Sequence, residues 1–262
     1  KYDTIDSPHG VDVAERKANR YAPLMTSRGC PFKCAYCHIS SEKTAGSLAG
    51  KIGNLRLHSI ERVIEEVGRV QDLGVERIFF EDDSLLAHKS RVKTIFRNVK
   101  DRGLMISNVN GVNLIHFYHK NLEDSNGRWK IDREYLEILK DAGFDQIVFP
   151  VESGNQRVLE KYATNKLLHD KMDVVQLMRE MAGIGIQAPV NMMMGFPDET
   201  EDEMQESIDL SHRLVDAGAP YVTFFIPIPF PGSKLYDMAI DGNYLDRDFN
   251  TDIFNWKRPV MK

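Results

Sequence analysis

The chain is short of cysteine, of net charge and of long apolar runs, and each shortage narrows what it can be. Three cysteines in 262 residues cannot form two bridges, so a disulfide framework is excluded. A formal net charge of −5 leaves no global basic field of the kind that attracts nucleic acid or anionic lipid, and neither is expected as a partner. No stretch approaches the roughly 18 apolar residues of a membrane span, and no signal-peptide pattern opens the chain. The expected location is cytoplasmic. The chain starts on Lys1 and stops after Met261-Lys262, which reads as a piece excised from a longer protein. The remaining composition, 42% hydrophobic and 28% charged, is that of an ordinary soluble globular domain.

What the chain does have is concentration. Cys30, Cys34 and Cys37 all lie in Gly29-Cys-Pro-Phe-Lys-Cys-Ala-Tyr-Cys-His38. Thiolates are soft ligands that suit iron–sulfur clusters and zinc. A 4Fe–4S cube usually takes four protein thiolates, so three would leave one iron open, as catalytic metal sites leave a position open. Other readings remain. Cys34-Ala-Tyr-Cys37-His38 also fits the haem-attachment pattern, but that pattern ignores Cys30 and requires export. His38 could complete a Cys3His zinc knuckle, although adjacent Cys37 and His38 are awkward ligands for one tetrahedral ion. Plain buried thiols fit poorly beside Gly29, Pro31 and Lys33. A cluster that serves only electron transfer is the non-enzymatic alternative.

Periodicity supplies the frame. Lys1–Tyr21 is a polar linker or arm, with a short helix at Asp12–Asn19. Ala22–Arg28 reads as a buried strand that runs straight into the cysteine loop, and Ser40–Arg56 as loop. Ser59 caps a helix carrying Ile60, Val63, Ile64, Val67 and Val70, which stops at Gly74. Strands at Arg77–Glu81 and Leu104–Asn110 flank a helix over Lys89–Arg102. Leu114–Lys130 is an irregular connection, long enough to be a lid or binding loop. Asp132 caps a helix with Tyr135, Ile138, Leu139 and Ala142 on one face. The strand Gln146–Val151 precedes a helix in two pieces, Asn155–Tyr162 and His169–Ala182. The strand Ile186–Met194, a helix capped by Thr200, the strand Tyr221–Ile226 and a short helix with a tail complete the chain. Six strand–helix units at a spacing of roughly 30 residues require parallel crossover connections. The expected fold is therefore α/β, a partial (βα)6 TIM-like barrel, with the cluster loop after the first strand and the site at the carboxyl ends of the strands.

The spacing Cys-x3-Cys-x2-Cys, with aromatic Tyr36 before the third cysteine, resembles the signature of the radical S-adenosylmethionine (SAM) superfamily. The resemblance spans Tyr21 to about Tyr236, which sets expected boundaries of 1–21 for the arm, 22–236 for the core domain and 237–262 for a tail. It implies a 4Fe–4S cluster on Cys30, Cys34 and Cys37, with SAM bound at the open iron. Reductive cleavage would then yield a 5′-deoxyadenosyl radical that abstracts hydrogen from a small organic substrate, with a flavodoxin or ferredoxin as reductant. By the same resemblance Tyr36 lies against adenine, with Ile226 and Pro227 on its other side. Glu81, Asp82 and Asp83 stand where the family's Gly-Gly-Glu motif holds the SAM amino group, though neither glycine is present. Glu152 and Ser153 approach the ribose and carboxylate. Asn191 points at SAM or substrate, in a stretch where Gly195 matches the family's Gly-x-Ile-x-Gly-x-x-Glu, Met193 replaces the isoleucine and Asp198 the glutamate. Thr26-Ser-Arg-Gly-Cys-Pro31, Phe80-Glu-Asp-Asp83, Glu152-Ser-Gly154 and Pro229-Phe-Pro-Gly-Ser233 look most like the cobalamin-dependent class. That implies methyl transfer first, and rearrangement, dehydrogenation or methylthiolation second. No Asp-x-His-x-x-Gly signature occurs, so cobalamin is expected only of a longer parent protein.

Overall fold

The computed structural model describes residues 20–43, 51–164, 166–245 and 260–262. The expected helix at Asp12–Asn19 and most of the tail lie outside the described residues. Strands β1 (Tyr21–Leu24), β2 (Arg77–Phe80), β3 (Met105–Asn108) and β4 (Phe144–Ile147) pair in that order, and β5 (Phe149–Glu152), β6 (Val190–Met193) and β7 (Val222–Phe225) form a second set. All these pairings are parallel. Only Val148 separates β4 from β5, and a parallel bridge between Gln146 and Gln187 links the two sets. β4 and β5 are thus two halves of one strand, and six strand positions follow the chain in sequence, as an arc of a parallel barrel does.

The helices of the crossovers form where their caps and apolar faces dictate. α1 (Ile60–Asp72) starts at Ser59, whose hydroxyl accepts from Arg62 N. α2 spans Lys89–Val99, and α3 (Arg133–Ala142) starts at Asp132, whose carboxylate accepts from Tyr135 N. α4 (Val174–Gly183) is capped by Asp173, α5 (Glu201–Asp216) by a reciprocal capping box of Thr200 and Glu203, and α6 (Lys234–Asp241) by Ser233. Each such cap contributes about 1 kcal/mol. The faces turned inward carry Val63 and Val67 on α1, and Tyr135, Leu136, Ile138, Leu139 and Ala142 on α3. Phe80 of β2 joins sheet to helix layer, its ring centroid 5.6 Å from Phe96 of α2 and 6.4 Å from Phe144 of β4.

Several expectations shift in detail. β1 begins at Tyr21, the residue placed at the end of the arm, and Ser27–Arg28 forms a separate antiparallel pair with Arg56–Leu57. α2 stops at Val99 because Lys100 is already extended, and Asp101 after it turns left-handed with φ 61°. α4 begins at Val174, since Asp173 is the cap. The Leu114–Lys130 connection is not irregular: Leu114–Phe117 is a buried 3₁₀ turn, and Tyr118–Glu123 pairs antiparallel with Trp129–Ile131. The hairpin closes where the Asp124 carboxylate accepts from Asn126 N at 2.7 Å and Arg128 N at 3.0 Å, with Gly127 at φ +75°. That is ordinary Asp/Asn-Gly turn chemistry.

Because strand side chains alternate, Arg77 faces away from the helix layer that Phe80 meets. Its guanidinium donates to both oxygens of Asp145 (3.0 and 2.6 Å) and to Ser107 Oγ (2.7 Å), which ties β2, β3 and β4 together inside the barrel. Arg77→Ala is expected to cost about 3–5 kcal/mol, the usual consequence of stranding a mostly buried charge, read as a lower urea midpoint at unchanged slope.

Candidate metal centre

The cysteine loop is held from three sides. Behind it, the end of β2 supplies two carboxylates with different tasks. Asp82 is fully buried. It accepts from Thr26 N at 3.0 Å, Thr26 Oγ1 at 2.8 Å and Ser27 Oγ at 2.5 Å. Burial pushes its carboxyl pKa up, against the pull of these donors. Asp83 takes the Gly29 N–H at 2.7 Å. Gly29 has φ +78°, and a Cβ there would lie 2.3 Å from the Asn54 carbonyl oxygen, so only glycine fits. Beyond the loop, the chain after β5 forms a π turn at Leu159–Ala163, a rare form that recurs at functional sites. Its Tyr162 carbonyl accepts from Ala35 N at 2.7 Å, and the Ala163 carbonyl from Cys34 Sγ at 3.7 Å. Leu235 N of α6 donates to the Ala35 carbonyl at 2.8 Å.

So fixed, the three thiols line one cavity of about 220 Å³ together with Tyr36, Asp83 and Lys166. None is in a disulfide. Among the described residues no three His, Cys, Asp or Glu side chains are gathered tightly enough to hold a single ion. Three thiols distributed around one cavity, with no fourth cysteine in the chain, suit a polynuclear cluster with an open corner. Ser84 and Asn113 line the same cavity. Ser84 Oγ and Asn113 Nδ2 are buried there without a hydrogen bond in the structure. The Asn113 amide oxygen is engaged by Ile115 N at 3.0 Å, which aligns its nitrogen as a donor. Leaving such groups unpaired costs about 1–3 kcal/mol each, so the cavity fits a polar ligand.

Glu152 ends β5 in the left-handed region, φ +67°, and is 5% exposed. A non-glycine residue held there costs about 1–3 kcal/mol and tends to occur at functional sites. The turn brings its carboxylate to Tyr36 OH (2.7 Å) and Lys166 Nζ (2.6 Å), and Lys166 also donates to Tyr36 OH at 3.1 Å. Burial works against the Lys166 charge, but Glu152 and then Cys34 outweigh it and hold the ammonium above the ordinary lysine range. Burial also raises the pKa of all three thiols, while Lys166 draws each toward thiolate.

The other candidates stand elsewhere. The Glu81 main chain joins neighbouring strand ends, donating to Leu24 O and accepting from Asn110 Nδ2. Ser153 turns away from the cavity. Its hydroxyl lies 3.2 Å from Ser207 Oγ of α5, and a Cβ on Gly154 would meet the Glu206 carbonyl at 2.4 Å, so this pair is a packing joint. Asn191 is half-buried in mid-sheet, opposite Pro150 and Thr223. Ile226 lines a separate apolar cavity of about 430 Å³ with Phe196 and Phe224, and Pro227 is buried beside it. Asp198 joins an ionic knot with Arg157 (2.8 Å), Lys161 (2.6 Å) and the Tyr162 hydroxyl. The neighbouring Glu199 accepts from Gly195 N and Phe196 N, at 2.6 and 3.1 Å. Sequence reasoning passed over Lys166, Ser84 and Asn113. The one available signal for Lys166 was its place in the break between the two helical pieces.

Comparison with known proteins gives a consistent picture. The model of the radical SAM superfamily matches residues 24–211. An uncharacterized methyltransferase of Pyrococcus horikoshii is 30% identical over 248 residues, covering 92% of this chain and 47% of the relative. The cytidylyl-2-hydroxyethylphosphonate methyltransferase of Streptomyces wedmorensis is 26% identical, covering 93% of this chain and 42% of its own. The chain thus spans less than half the length of these relatives. The radical SAM methyltransferase TsrM from Kitasatospora setae, solved with cobalamin and a [4Fe-4S] cluster, superposes with a TM-score of 0.64 at 14% identity, over 87% of this chain and 38% of that one, a likeness of fold. No helix among the described residues is long and apolar enough to cross a membrane.

Two outcomes follow from this geometry. Gly29→Ala should displace the loop from Asn54 and lower the iron and sulfide bound per chain on anaerobic reconstitution, read by metal analysis. Burial raises the Asp198 pKa, but hydrogen bonds from Lys161, Tyr162 and Arg157 outweigh it and bring it from 3.8 to about 2. A carboxylate depressed on folding stabilises above its unfolded value and loses that contribution as pH falls. Stability should therefore drop between about pH 4 and pH 2. Glu203, held at about 2 chiefly by Arg157, titrates in the same window, so Asp198→Asn should remove part of the slope in acid denaturation.

Proposed function

The chain belongs to the radical SAM superfamily, and we propose that it is the catalytic core of a radical SAM enzyme, with Cys30, Cys34 and Cys37 holding a 4Fe–4S cluster. The observation that carries this reading is the placement of all three thiols on one cavity, which Ser84 and Asn113, each with an unpaired buried polar atom, also line. Bound there, the cluster and SAM would supply one-electron reductive chemistry that ends in hydrogen abstraction from a small organic substrate. The electron would come from a partner such as flavodoxin or ferredoxin.

The chain's own residues bind and orient. Tyr36, fixed by Glu152 and Lys166, offers its ring as a face for adenine, since aromatic faces accept bases readily. Asp83 is an acceptor for the SAM ammonium while it steadies Gly29. Ser84 and Asn113 offer hydrogen bonds to polar atoms of SAM or substrate. Glu81, Asn191, Ile226 and Pro227 lie outside the thiol cavity and are given no direct contact with SAM in this reading. Asp82 and Ser153 act behind the cavity, by anchoring the loop and joining β5 to α5. Methyl transfer is the reaction type we favour, because two of the relatives are named methyltransferases. Methylthiolation is the second reading, supported by relatives named as tRNA-2-methylthio-N(6)-dimethylallyladenosine synthases at 23–25% identity. TsrM was solved with cobalamin. A cobalamin-binding part would fall in the length of the relatives that this chain does not span.

The test is anaerobic reconstitution with iron and sulfide, followed by dithionite and SAM, with 5′-deoxyadenosine read by mass spectrometry. Wild type should form it, and Cys30→Ala, Cys34→Ala and Cys37→Ala should each lose both cluster and product. A full cluster that yields no 5′-deoxyadenosine would point to an electron-transfer module instead.

A further inference from the structure

We propose that Lys166 and Glu152 act as opposed electrostatic levers on the reduction potential of the cluster held by Cys30, Cys34 and Cys37. Lys166 raises the potential and Glu152 lowers it. This rests on the cluster reading above and adds to it a pair of residues that set when the site accepts an electron.

The argument starts from charge. Each thiolate brings a negative charge to the cavity, and an electron arriving on the cluster adds another. The potential of such a centre depends on net charge, hydrogen bonding and solvent exposure around it. Lys166 is the one lysine or arginine that lines this cavity among the described residues. Its side chain is 17% exposed and that of Glu152 is 7% exposed, so solvent screens neither strongly and charges act here over longer distances than at a surface. The sign of each effect follows from the charge itself: an ammonium on the cavity wall favours the added electron, and the carboxylate ion-paired to it at 2.6 Å opposes it. Lys43, its ammonium bound to the Phe32 carbonyl, contributes a constant background.

The geometry keeps both charges in place. Lys166 is held by Glu152 at 2.6 Å and by Tyr36 OH at 3.1 Å, with its ammonium 5.6 Å from the centre of the Tyr36 ring. Glu152 is fixed by its left-handed backbone and by the Tyr36 hydroxyl. Tyr36 precedes Cys37 directly, so the pair is wired into the loop that carries the thiols. Removing one member leaves the other uncompensated beside the cluster, and the two removals must act in opposite directions.

The experiment is an EPR-monitored redox titration of the anaerobically reconstituted protein without SAM, for wild type, Lys166→Met, Lys166→Arg, Glu152→Gln and the Lys166→Met/Glu152→Gln double variant. Iron and sulfide per chain are measured on each sample. At a fixed solution potential the ratio of reduced to oxidised cluster should fall about tenfold in Lys166→Met, equivalent to about 59 mV for a one-electron couple. It should rise by a similar factor in Glu152→Gln. Lys166→Arg should stay near wild type, and the double variant should return toward it, because the two charges are coupled. Unmoved potentials in both single variants, or shifts of the same sign as general loosening would produce, overturn the proposal while leaving the cluster reading intact. A wild-type protein that gathers no cluster overturns both.

Discussion

The clamp that Asp82 and Asp83 place on the root of the cysteine loop is the contact on which the rest of the site depends. Asp82 turns two side-chain hydroxyls and a backbone N–H of Thr26 and Ser27 inward at the carboxyl end of β2. Asp83 seizes Gly29 two residues further on. With three donors the buried Asp82 carboxylate is well satisfied, so an acid that would be costly alone becomes a rigid joint. That joint sets where Cys30 leaves the sheet, and the antiparallel pair of Ser27–Arg28 with Arg56–Leu57 keeps the loop from rotating about it.

Opposite the clamp, the loop is met by the chain after β5. The π turn presents the carbonyls of Tyr162 and Ala163 to the loop, and Glu152 and Lys166 reach Tyr36. Tyr162 stacks on Phe196 with centroids 4.2 Å apart, and Phe196 lies 6.2 Å from Tyr36, so the end of β6 supports the same aromatic. The ionic knot of Arg157, Lys161 and Asp198 stiffens that junction. The barrel thus serves the site in an ordinary way: strands that are distant in sequence end together, and each contributes a constraint to one loop.

Much of this was legible in the residues. The caps at Ser59, Asp132 and Thr200 fell where local chemistry places them, because a cap depends on a few neighbours only. The six parallel units followed from spacing. The thiol cluster was plain because it is local. What the residues do not spell is direction. Glu152 and Ser153 are neighbours, yet a positive φ sends one carboxylate to Tyr36 while the adjacent hydroxyl turns to Ser207 of α5. Lys166 is separated from Tyr36 by 130 positions and sits in no motif, so only the folded chain reveals it. The hairpin after Phe117 was missed although Asp124, Asn126 and Gly127 spell its turn, because the aromatics and histidines around it obscured the alternation.

The central claim is a cluster bound by three protein thiolates with one iron left for an external ligand. ⁵⁷Fe Mössbauer spectroscopy of the reconstituted protein, with and without SAM, tests it most directly. The account predicts one iron set apart from the others whose parameters change when SAM is added. Irons that are all equivalent, with a spectrum indifferent to SAM, would contradict it.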